Sequence, residues 1–239
     1  MKKLYKILDW DSKHFGYKVA RVDADNIGLT QLNKLIKELS GNDVRLVYCF
    51  ADSMDTTSNK TAKVCDGFLA DEKVTYIRNV AEKIKPVNDT NVTSYLGKPL
   101  NSRLRYLALE AGIYSRYRID PNFKNGEFEK LYSEWIKKSL SAEIAKDVLV
   151  YRITKKVAGL ITLGDKDGRC NIGLIATHPE HRNKGIGTKL VEAGFRKAAE
   201  WGYKEIDVVT QKSNINAEKF YESLGFKIKS VVNIYHFWL

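Results

Sequence analysis

The stretch His178-Pro-Glu-His-Arg-Asn-Lys-Gly-Ile-Gly-Thr188 lies between a predicted strand and a predicted helix. Its glycines permit positive φ angles and let the backbone approach a ligand closely. The free amides of the first helical turn, together with the positive end of the helix dipole, form a site suited to a pyrophosphate. The spacing is neither that of a Walker A loop nor that of a Rossmann G-x-G-x-x-G. Taken alone, the two glycines are equally typical of a helix that begins at a tight turn.

Strands and helices alternate on both sides of this loop, which predicts an α/β fold. Three strands precede the loop, and a Gly/Asp turn typical of a hairpin joins the second to the third. A helix, a strand, a second helix and a final strand follow it. The strands are predicted at 148–151, 157–163, 171–176, 205–210 and 227–238, and the second helix at 215–224. The order β-β-β-α-β-α-β implies a sheet of mixed direction with flanking helices.

The first hundred residues have a similar but weaker pattern. Strands are predicted at 4–8, 18–22, 44–50 and 73–80, with helices at 29–39 and after residue 57. The stretch 83–99 contains Pro86 and Pro99 and is predicted to be a loop between two halves. Apolar residues at helical spacing then predict helices at 104–114 and 128–140. We therefore expect an N-terminal domain at 1–85, a linker at 86–99 and a second domain at 100–239.

Composition limits the classes of function. The 239 residues carry a formal net charge of +11, which favours polyanionic partners but is equally typical of a solvated basic surface. Lys and Arg form no dense run, so we expect no nucleic-acid partner. No apolar run approaches about 18 residues, which predicts no membrane insertion. Cys49, Cys65 and Cys170 form no C-x-x-C pair, which favours the cytoplasm and predicts no metal site.

A second motif lies downstream, Asn214-x-x-Ala217-x-x-x-Tyr221-Glu-x-x-Gly225-Phe226. Each motif alone has low specificity. Together and in this order, with a strand between them, they resemble the GNAT superfamily of N-acyltransferases. That family carries an R/Q-x-x-G-x-G/A loop, here Arg182-Asn-Lys-Gly185-Ile-Gly187, and later an Asn, an Ala and a Tyr ahead of Gly-Phe. The resemblance covers about residues 146–239 and implies a GNAT fold.

The resemblance also implies a co-substrate, acetyl-CoA or another short acyl-CoA, and roles for particular residues. Main chain of the fourth strand would bind the pantetheine arm as an added strand does. Tyr221 would protonate the departing thiolate, because its ordinary pKa near 10 is close to that of a thiol. The alternative is that the Tyr221 ring only packs in the core. The implied coenzyme-binding residues are Ile175, Ala176, Thr177, Arg182, Asn183, Lys184, Gly185, Ile186, Gly187, Thr188 and Asn214.

The identity of the general base is open at this stage. Some GNAT enzymes use a Glu on the fourth strand, but the predicted strand at 171–176 has no carboxylate. The amine would lose its proton through water or to a residue from elsewhere. His178 and His181 flank the loop and belong to a residue type that titrates near neutrality, although a place beside the coenzyme phosphates or in solvent is the favoured interpretation for both.

The remainder of the chain is similar to the dTDP-fucosamine acetyltransferases, which acylate the amine of a nucleotide-linked sugar for surface polysaccharide synthesis. The similarity rests on Leu8-Asp-Trp-Asp-Ser-Lys-His-Phe-Gly16, Ser115-Arg-Tyr-Arg118 with Asp120, the run 132–136 and the strand 172–176. In that family a reduced GNAT-like half precedes the catalytic half. An internal echo, Asn59-x-x-Ala62 before Gly67-Phe68, agrees with this, although helix–Gly–strand turns are common.

These features predict acyl transfer to the amine of a dTDP-linked amino-dideoxysugar, at C3 or C4. The acceptor candidates are His14, Phe15, Arg116, Tyr117 and Arg118. Guanidinium groups bind phosphate in a forked geometry and aromatic rings stack on bases, although Arg also favours helix C-termini and His14 and Phe15 suit a packed turn. The alternatives are a GNAT enzyme acting on a protein amine or aminoglycoside, and a non-catalytic basic module. An exposed closing strand at 227–238 favours a homodimer.

Overall fold

A single mixed sheet organises the chain, and the computed structural model describes it through residues 4–80 and 90–239. In these residues the strand order is β1-β2-β3-β10-β4-β9-β8-β7-β6-β5. Only the pairs β2–β3 and β8–β9 are parallel among the described strands. The strands are β1 (Tyr5–Ile7), β2 (Lys18–Ala24), β3 (Val44–Asp52), β4 (Phe68–Asn79), β5 (Val92–Ser94), β6 (Asp147–Ile153), β7 (Lys156–Lys166), β8 (Arg169–Thr177), β9 (Glu205–Gln211) and β10 (Lys227–Trp238).

Helices cover both faces of the sheet, which confirms the predicted α/β class. Because side chains alternate along a strand, Val148 of β6 packs with α4 and α6 while Leu149 packs with α7. Strands buried on both faces are continuous apolar runs, as in β6 and β7. The helices are α1 (Asp9–Phe15), α2 (Leu29–Gly41), α3 (Thr56–Val64), α4 (Ser102–Ala111), α5 (Arg116–Ile119), α6 (Glu127–Leu140), α7 (Ile186–Glu200) and α8 (Ile215–Ser223).

The closing strand β10 lies in the middle of the sheet, between β3 and β4. The expectation of an exposed closing strand is therefore wrong, because β10 is hydrogen-bonded on both sides. The described sheet instead ends at two three-residue strands, β1 and β5. Short edge strands leave few main-chain groups unpaired. The strand that was expected to favour a homodimer is thus unavailable for pairing with a second copy.

Strands β4 and β10 are exchanged between the two halves of the chain. β4 pairs with β9 through Lys73 and Gln211, and β10 pairs with β3 through Val232 and Asp52. The two pairs correspond through one offset in residue number, because Val232 lies 159 positions after Lys73 and Gln211 lies 159 positions after Asp52. A repeated β-α-β-α-β unit would produce this matched register. The division at 1–85 and 100–239 stays a prediction, and residues 81–89, which include the start of the predicted linker, lie outside the described part.

Two predicted segments differ from the structure. The rest of the linker contains β5, which pairs with β6 from Val92 to Ser94 although its sequence has no strand periodicity. Residues predicted to turn before Gly16 form the helix α1, which ends at that glycine with φ +79°. In the part of the chain that the structure describes, no helix has both the length and the apolar character needed to cross a membrane.

Candidate active site

The two parallel strands β8 and β9 diverge and leave a wedge in the sheet. They pair only at Cys170, Asn171 and Ile172 of β8. Beyond this point β8 continues along β7 to Thr177, while β9 continues along β4 to Gln211. At the apex, the Asn171 amide donates to Asp207 Oδ1 at 2.6 Å. The two free strand edges line a cavity of about 1130 Å³.

A bulge in β8 lies at the start of the wedge. The register with β7 shifts between Ile172 and Ile175, so the main chain there cannot complete a regular ladder. The Leu174 amide instead donates to Thr162 Oγ1 at 2.8 Å. The bulge presents the following residues, Ile175 to Thr177, to the cavity.

The loop ahead of α7 borders the same cavity. Gly185 is the N-cap of α7 with φ +73°, a conformation that favours glycine. The amides of the next three residues have no acceptor within the helix, so they are available to an anion. A Cβ on Gly187 would lie 3.1 Å from the Phe220 ring of α8, whereas a Cβ on Gly185 would meet no atom within 4 Å. Gly187 therefore permits helix packing, and Gly185 permits the turn.

Arg182 and Lys184 of this loop have partners within the protein. Arg182 Nη2 lies 2.7 Å from Glu110 Oε2 of α4, and its Nε donates to the Thr177 carbonyl at 3.3 Å. Lys184 Nζ donates to the Glu180 carbonyl at 3.2 Å. Their charges fix the loop against α4 and against the short 3₁₀ turn Pro179–His181. The loop is thus held in shape by bonds outside the helix itself.

Tyr221 lies on α8, where its ring borders the wedge and is 4% exposed. The ring packs against Tyr76 of β4 and Phe226, at centroid distances of 5.7 and 5.6 Å. Burial raises the pKa of the Tyr221 phenol, so the hydroxyl stays protonated at neutral pH. Asn214 caps α8 by accepting from the Ala217 amide at 3.2 Å, which leaves its Nδ2 group as a donor.

On the opposite face of the sheet the cavity is lined by charged groups. Arg116 of α5 donates from Nη2 to the Tyr117 hydroxyl at 2.6 Å, and its Cζ lies 4.0 Å from the Tyr48 ring centre. Asp71 of β4 is 8% exposed. Neither Arg116 Nη1 nor Asp71 Oδ1 has a hydrogen-bond partner in the described chain. Burial raises the pKa of Asp71 to about 7, although Arg116 opposes the rise.

Strand β10 fixes the position of α5 and hence of Arg116. Asp120, directly after α5, accepts from Trp238 Nε1 at 2.9 Å and lies 2.6 Å from His236 Nδ1. Burial lowers the pKa of His236 to about 4, so the imidazole is neutral and donates its Nδ1 hydrogen. The C-terminal strand thereby positions a cavity residue that precedes it by more than a hundred positions.

The structure brings most of the predicted site residues to this one cavity. Lys184 does not line it, and neither does Arg118, which is exposed and lies 3.5 Å from Glu129. His14 and Phe15 also lie elsewhere, and the Phe15 ring packs against Tyr17 and Tyr117. The predicted residues that line the cavity are Ile175, Ala176, Thr177, Arg182, Asn183, Gly185, Ile186, Gly187, Thr188, Asn214, Tyr221, Arg116 and Tyr117.

Asp71 and Lys73 are cavity residues that sequence reasoning missed. A signal was present, since two charged side chains at alternate positions of a strand must share a face. The neighbours Val74 and Tyr76 pack on the other face, with α7 and α8. Nothing local indicated that this strand borders the wedge, because it does so only through pairing with β9. His181 lines the cavity and His178 does not; burial lowers the pKa of His178.

Curated proteins resemble part of the chain. The chain is 25% identical over 132 residues to "Spore coat polysaccharide biosynthesis protein SpsD" of Bacillus subtilis (strain 168), covering 55% of this chain and 45% of that protein. It is 31% identical over 111 residues to "N-acetyltransferase 8B" of Homo sapiens, covering 43% and 48%. The chain thus spans about half the length of these curated relatives.

Two further comparisons concern the fold and the family. A solved GCN5-related N-acetyltransferase from Sphaerobacter thermophilus superposes with a TM-score of 0.63 at 12% identity, over 98% of this chain and 76% of that one. At this identity the likeness concerns the fold alone. The model of the family described as "Acetyltransferase (GNAT) family" matches residues 113–226, which include the loop before α7, the wedge and Tyr221. Residues 113–226 therefore match the GNAT acetyltransferase family, as the two motifs predict.

Proposed function

We propose that the chain is an acyl-CoA-dependent N-acyltransferase. The observation that carries the proposal is one continuous cavity bordered by the wedge, the N-terminus of α7, Tyr221 and Asp71. A thioester lying in the wedge would be open to attack by an amine from the opposite face of the sheet. Catalysis would rest on holding the two reactants in line, which supplies a large share of the rate in such transfers.

The residues around the wedge suit a coenzyme. The free edge of β8 from Ile175 to Thr177 offers main-chain groups to the pantetheine arm, as an added strand would use them. The unpaired amides at the start of α7 suit the pyrophosphate. Asn214 keeps a side-chain donor after capping α8. We infer that these groups, with Arg182 and Lys184 holding the loop, bind acetyl-CoA or a related short acyl-CoA.

Two side chains suit the proton transfers. Asp71 would take a proton from the acceptor ammonium, and the free amine would then attack the thioester carbonyl carbon. As the C–S bond breaks, Tyr221 would donate its hydroxyl proton to the sulfur. The second amine proton leaves as the amide forms and returns, through solvent, to the Tyr221 oxygen. The thiol, the amide and one proton released by Asp71 to solvent complete the balance.

We propose further that the acceptor is a dTDP-linked amino-dideoxysugar used in surface polysaccharide synthesis. The resemblance of residues 8–16 and 115–118 to the dTDP-fucosamine acetyltransferases supports this, and so does the relative whose name refers to spore coat polysaccharide biosynthesis. Arg116 and Tyr117 would lie beside the acceptor, since both line the cavity. Arg116 and Lys73 disfavour a cationic aminoglycoside, whose charge they would repel.

The other properties follow from this assignment. We propose a cytoplasmic enzyme, because nucleotide-linked sugars are made there and the three cysteines are free. We propose that residues 1–85 form a reduced GNAT-like half, which the matched register of the exchanged strands supports. A homodimer would have to use a surface other than β10.

Mass spectrometry of the products from a panel of dTDP-aminosugars and acyl-CoAs tests this function. We expect a mass increase equal to one acyl group on an amine-bearing sugar, and none on the matching sugar without an amine. Acylation of an aminoglycoside or a protein amine, with no sugar product, would replace the acceptor assignment. Binding of nucleic acid without transfer to any amine would replace the enzyme assignment.

A further inference from the structure

A cluster of cations lines the acceptor side of the cavity. Its members come from separate parts of the chain: Arg21 from β2, Lys73 from β4, Lys166 from β7 and Arg116 from α5. Arg21 lies over the Phe50 ring of β3, with Cζ 3.9 Å from the ring centre. The strand register accounts for this convergence, because Phe50 pairs with Ile234 and Ile234 pairs with Asp71. These three paired residues form a row across β3, β10 and β4. The row is the floor of the cavity between Arg21 and Lys73.

The cations interact with one another as like charges. Burial lowers the pKa of Lys73, and repulsion from Lys166, Arg116 and Arg21 lowers it further. Asp71 opposes this effect, but its own carboxyl is half protonated near pH 7. Arg21 pairs with Asp23, with 2.7 Å between Nε and Oδ1. The cluster therefore keeps an excess of positive charge in a partly desolvated space, which an anionic ligand would neutralise.

The positions of these groups suggest which part of a ligand they would contact. β2 and β4 are separated by β3 and β10, or about 14 Å at ordinary strand spacing. Long side chains from both strands converge over the floor from its two sides, so they would contact two neighbouring anionic groups more readily than a single small one. Arg116 adds a buried Nη1 hydrogen without a partner in the described residues. Two linked phosphates match this arrangement in charge and in extent.

We propose that Arg21, Lys73 and Lys166 form a diphosphate site for a nucleotide-linked acceptor. This rests on the acyltransferase function proposed above, and it goes further by naming the residues that select an acidic acceptor. The site uses two residues from the N-terminal half of the chain and one from the GNAT domain. Acceptor selection would thus belong to both halves, whereas coenzyme binding would belong to the second half alone.

Isothermal titration tests the site on full-length protein saturated with coenzyme A, so that the start of α7 is already occupied. The probes are dTDP, inorganic pyrophosphate and thymidine, and the variants are Arg21→Gln, Lys73→Gln and Lys166→Gln. Lys63→Gln is the matched control, because it removes one positive charge from the last turn of α3, away from the cavity. We expect dTDP and pyrophosphate to bind, thymidine to bind far more weakly, and each of the three variants to weaken dTDP binding about tenfold.

The outcomes separate this site from the proposed function. If coenzyme A does not bind to the wild-type chain, this result contradicts the proposed acyltransferase function. If coenzyme A binds normally but pyrophosphate does not, or thymidine matches dTDP, the diphosphate site is overturned. Unchanged dTDP binding in the variants overturns it as well. Lys166 is exposed on a hairpin, so Lys166→Gln keeps the test valid even if a variant at Lys73 fails to fold.

Discussion

Replacing Asp71 with Asn removes an ionisable group from the cavity while preserving the volume of its side chain. Burial raises the pKa of Asp71 from 3.8 to about 7, and the Arg116 guanidinium only partly opposes this. Each pKa unit corresponds to about 1.4 kcal/mol, so the ionised carboxylate destabilises the fold by about 4 kcal/mol at pH 8. Asparagine carries no such charge. We therefore expect Asp71→Asn to be more stable than the wild type in alkaline solution.

The pH dependence of this difference has a definite sign. A raised pKa means that the folded chain holds the proton more tightly than the unfolded chain does. The contribution of Asp71 to stability is therefore best below pH 3.8, is lost as the pH rises to about 7, and stays constant above that. The Arg116 guanidinium of α5 stays charged across this range and opposes the rise only in part, so the sign is unchanged. The gain in melting temperature should be on the order of 10 °C at pH 8 and should shrink towards pH 4.

The same variant should lose activity. If Asp71 accepts the proton of the acceptor, removing it should lower kcat by about 10²–10⁴-fold. Wild-type kcat should rise with pH through about 7, and this rise should be absent from the variant. Asp66→Asn is the matched control, since Asp66 is exposed in a left-handed conformation that Asn tolerates. Wild-type kcat in Asp71→Asn, with the same pH profile, would show that Asp71 is not the base. A stability gain that does not vary with pH would refute the electrostatic reasoning.

Three further predictions concern the coenzyme side. Tyr221→Phe should lower kcat by about 10²–10⁴-fold with acyl-CoA affinity and melting temperature retained, and near-full kcat would make Tyr221 a packing residue. Because burial raises the pKa of Tyr221, its ionisation should cause no loss of wild-type activity below about pH 10. Gly187→Ala should displace Phe220 and so raise the KM for acyl-CoA more than the KM for the acceptor. The control Gly194→Ala, deeper in α7 against Leu163, should leave both KM values unchanged. Equal effects of the two variants would contradict the assignment of the loop to the coenzyme. Titration calorimetry should find one coenzyme per chain, and two would contradict the closed pairing of β2 with β3.

The elements of the proposed coenzyme side could be predicted from the sequence because their determinants are local. A strand, a Gly-x-Gly turn and a helix follow one another directly, so the loop before α7 and its free amides result from neighbouring residues. The α8 motif is also local, since Asn214 caps the helix on which Tyr221 lies. The loop before α7 and the α8 motif can border one cavity if β8 and β9 are neighbours in the sheet, and the order of elements implies that they are. The loop and this motif accordingly border the same cavity.

The acceptor side depends on pairings that are distant in the sequence and that no local pattern indicates. Asp71 borders the cavity only because β4 pairs with β9, more than 120 residues away. His14 and Phe15 share a helix that packs beside α5 rather than on the cavity: Phe15 packs against the core, and His14 stacks on Trp10. Arg118 is two residues from Arg116 on a short helix, which turns the one outward and the other inward. The close spacing of these two arginines in the sequence therefore overstated the number that reach the site.

The two parallel pairs of the sheet explain why one half would hold the coenzyme and the other would supply the acceptor wall. β2 is paired with β3 along all seven of its residues, so no wedge opens there for a pantetheine arm. β8 separates from β9 after three pairs, and its bulge is stabilised by Thr162. A closed pair cannot admit a ligand between its strands, but it holds Arg21 and Phe50 rigidly at the cavity margin. Because β10 pairs with β3 and β4 pairs with β9, the surface that contains Arg21 and Phe50 lies close to the open wedge. The closed β2–β3 pair would thus explain two features at once: the first half of the chain has no cleft for a ligand, and the wedge in the second half has an acceptor surface beside it.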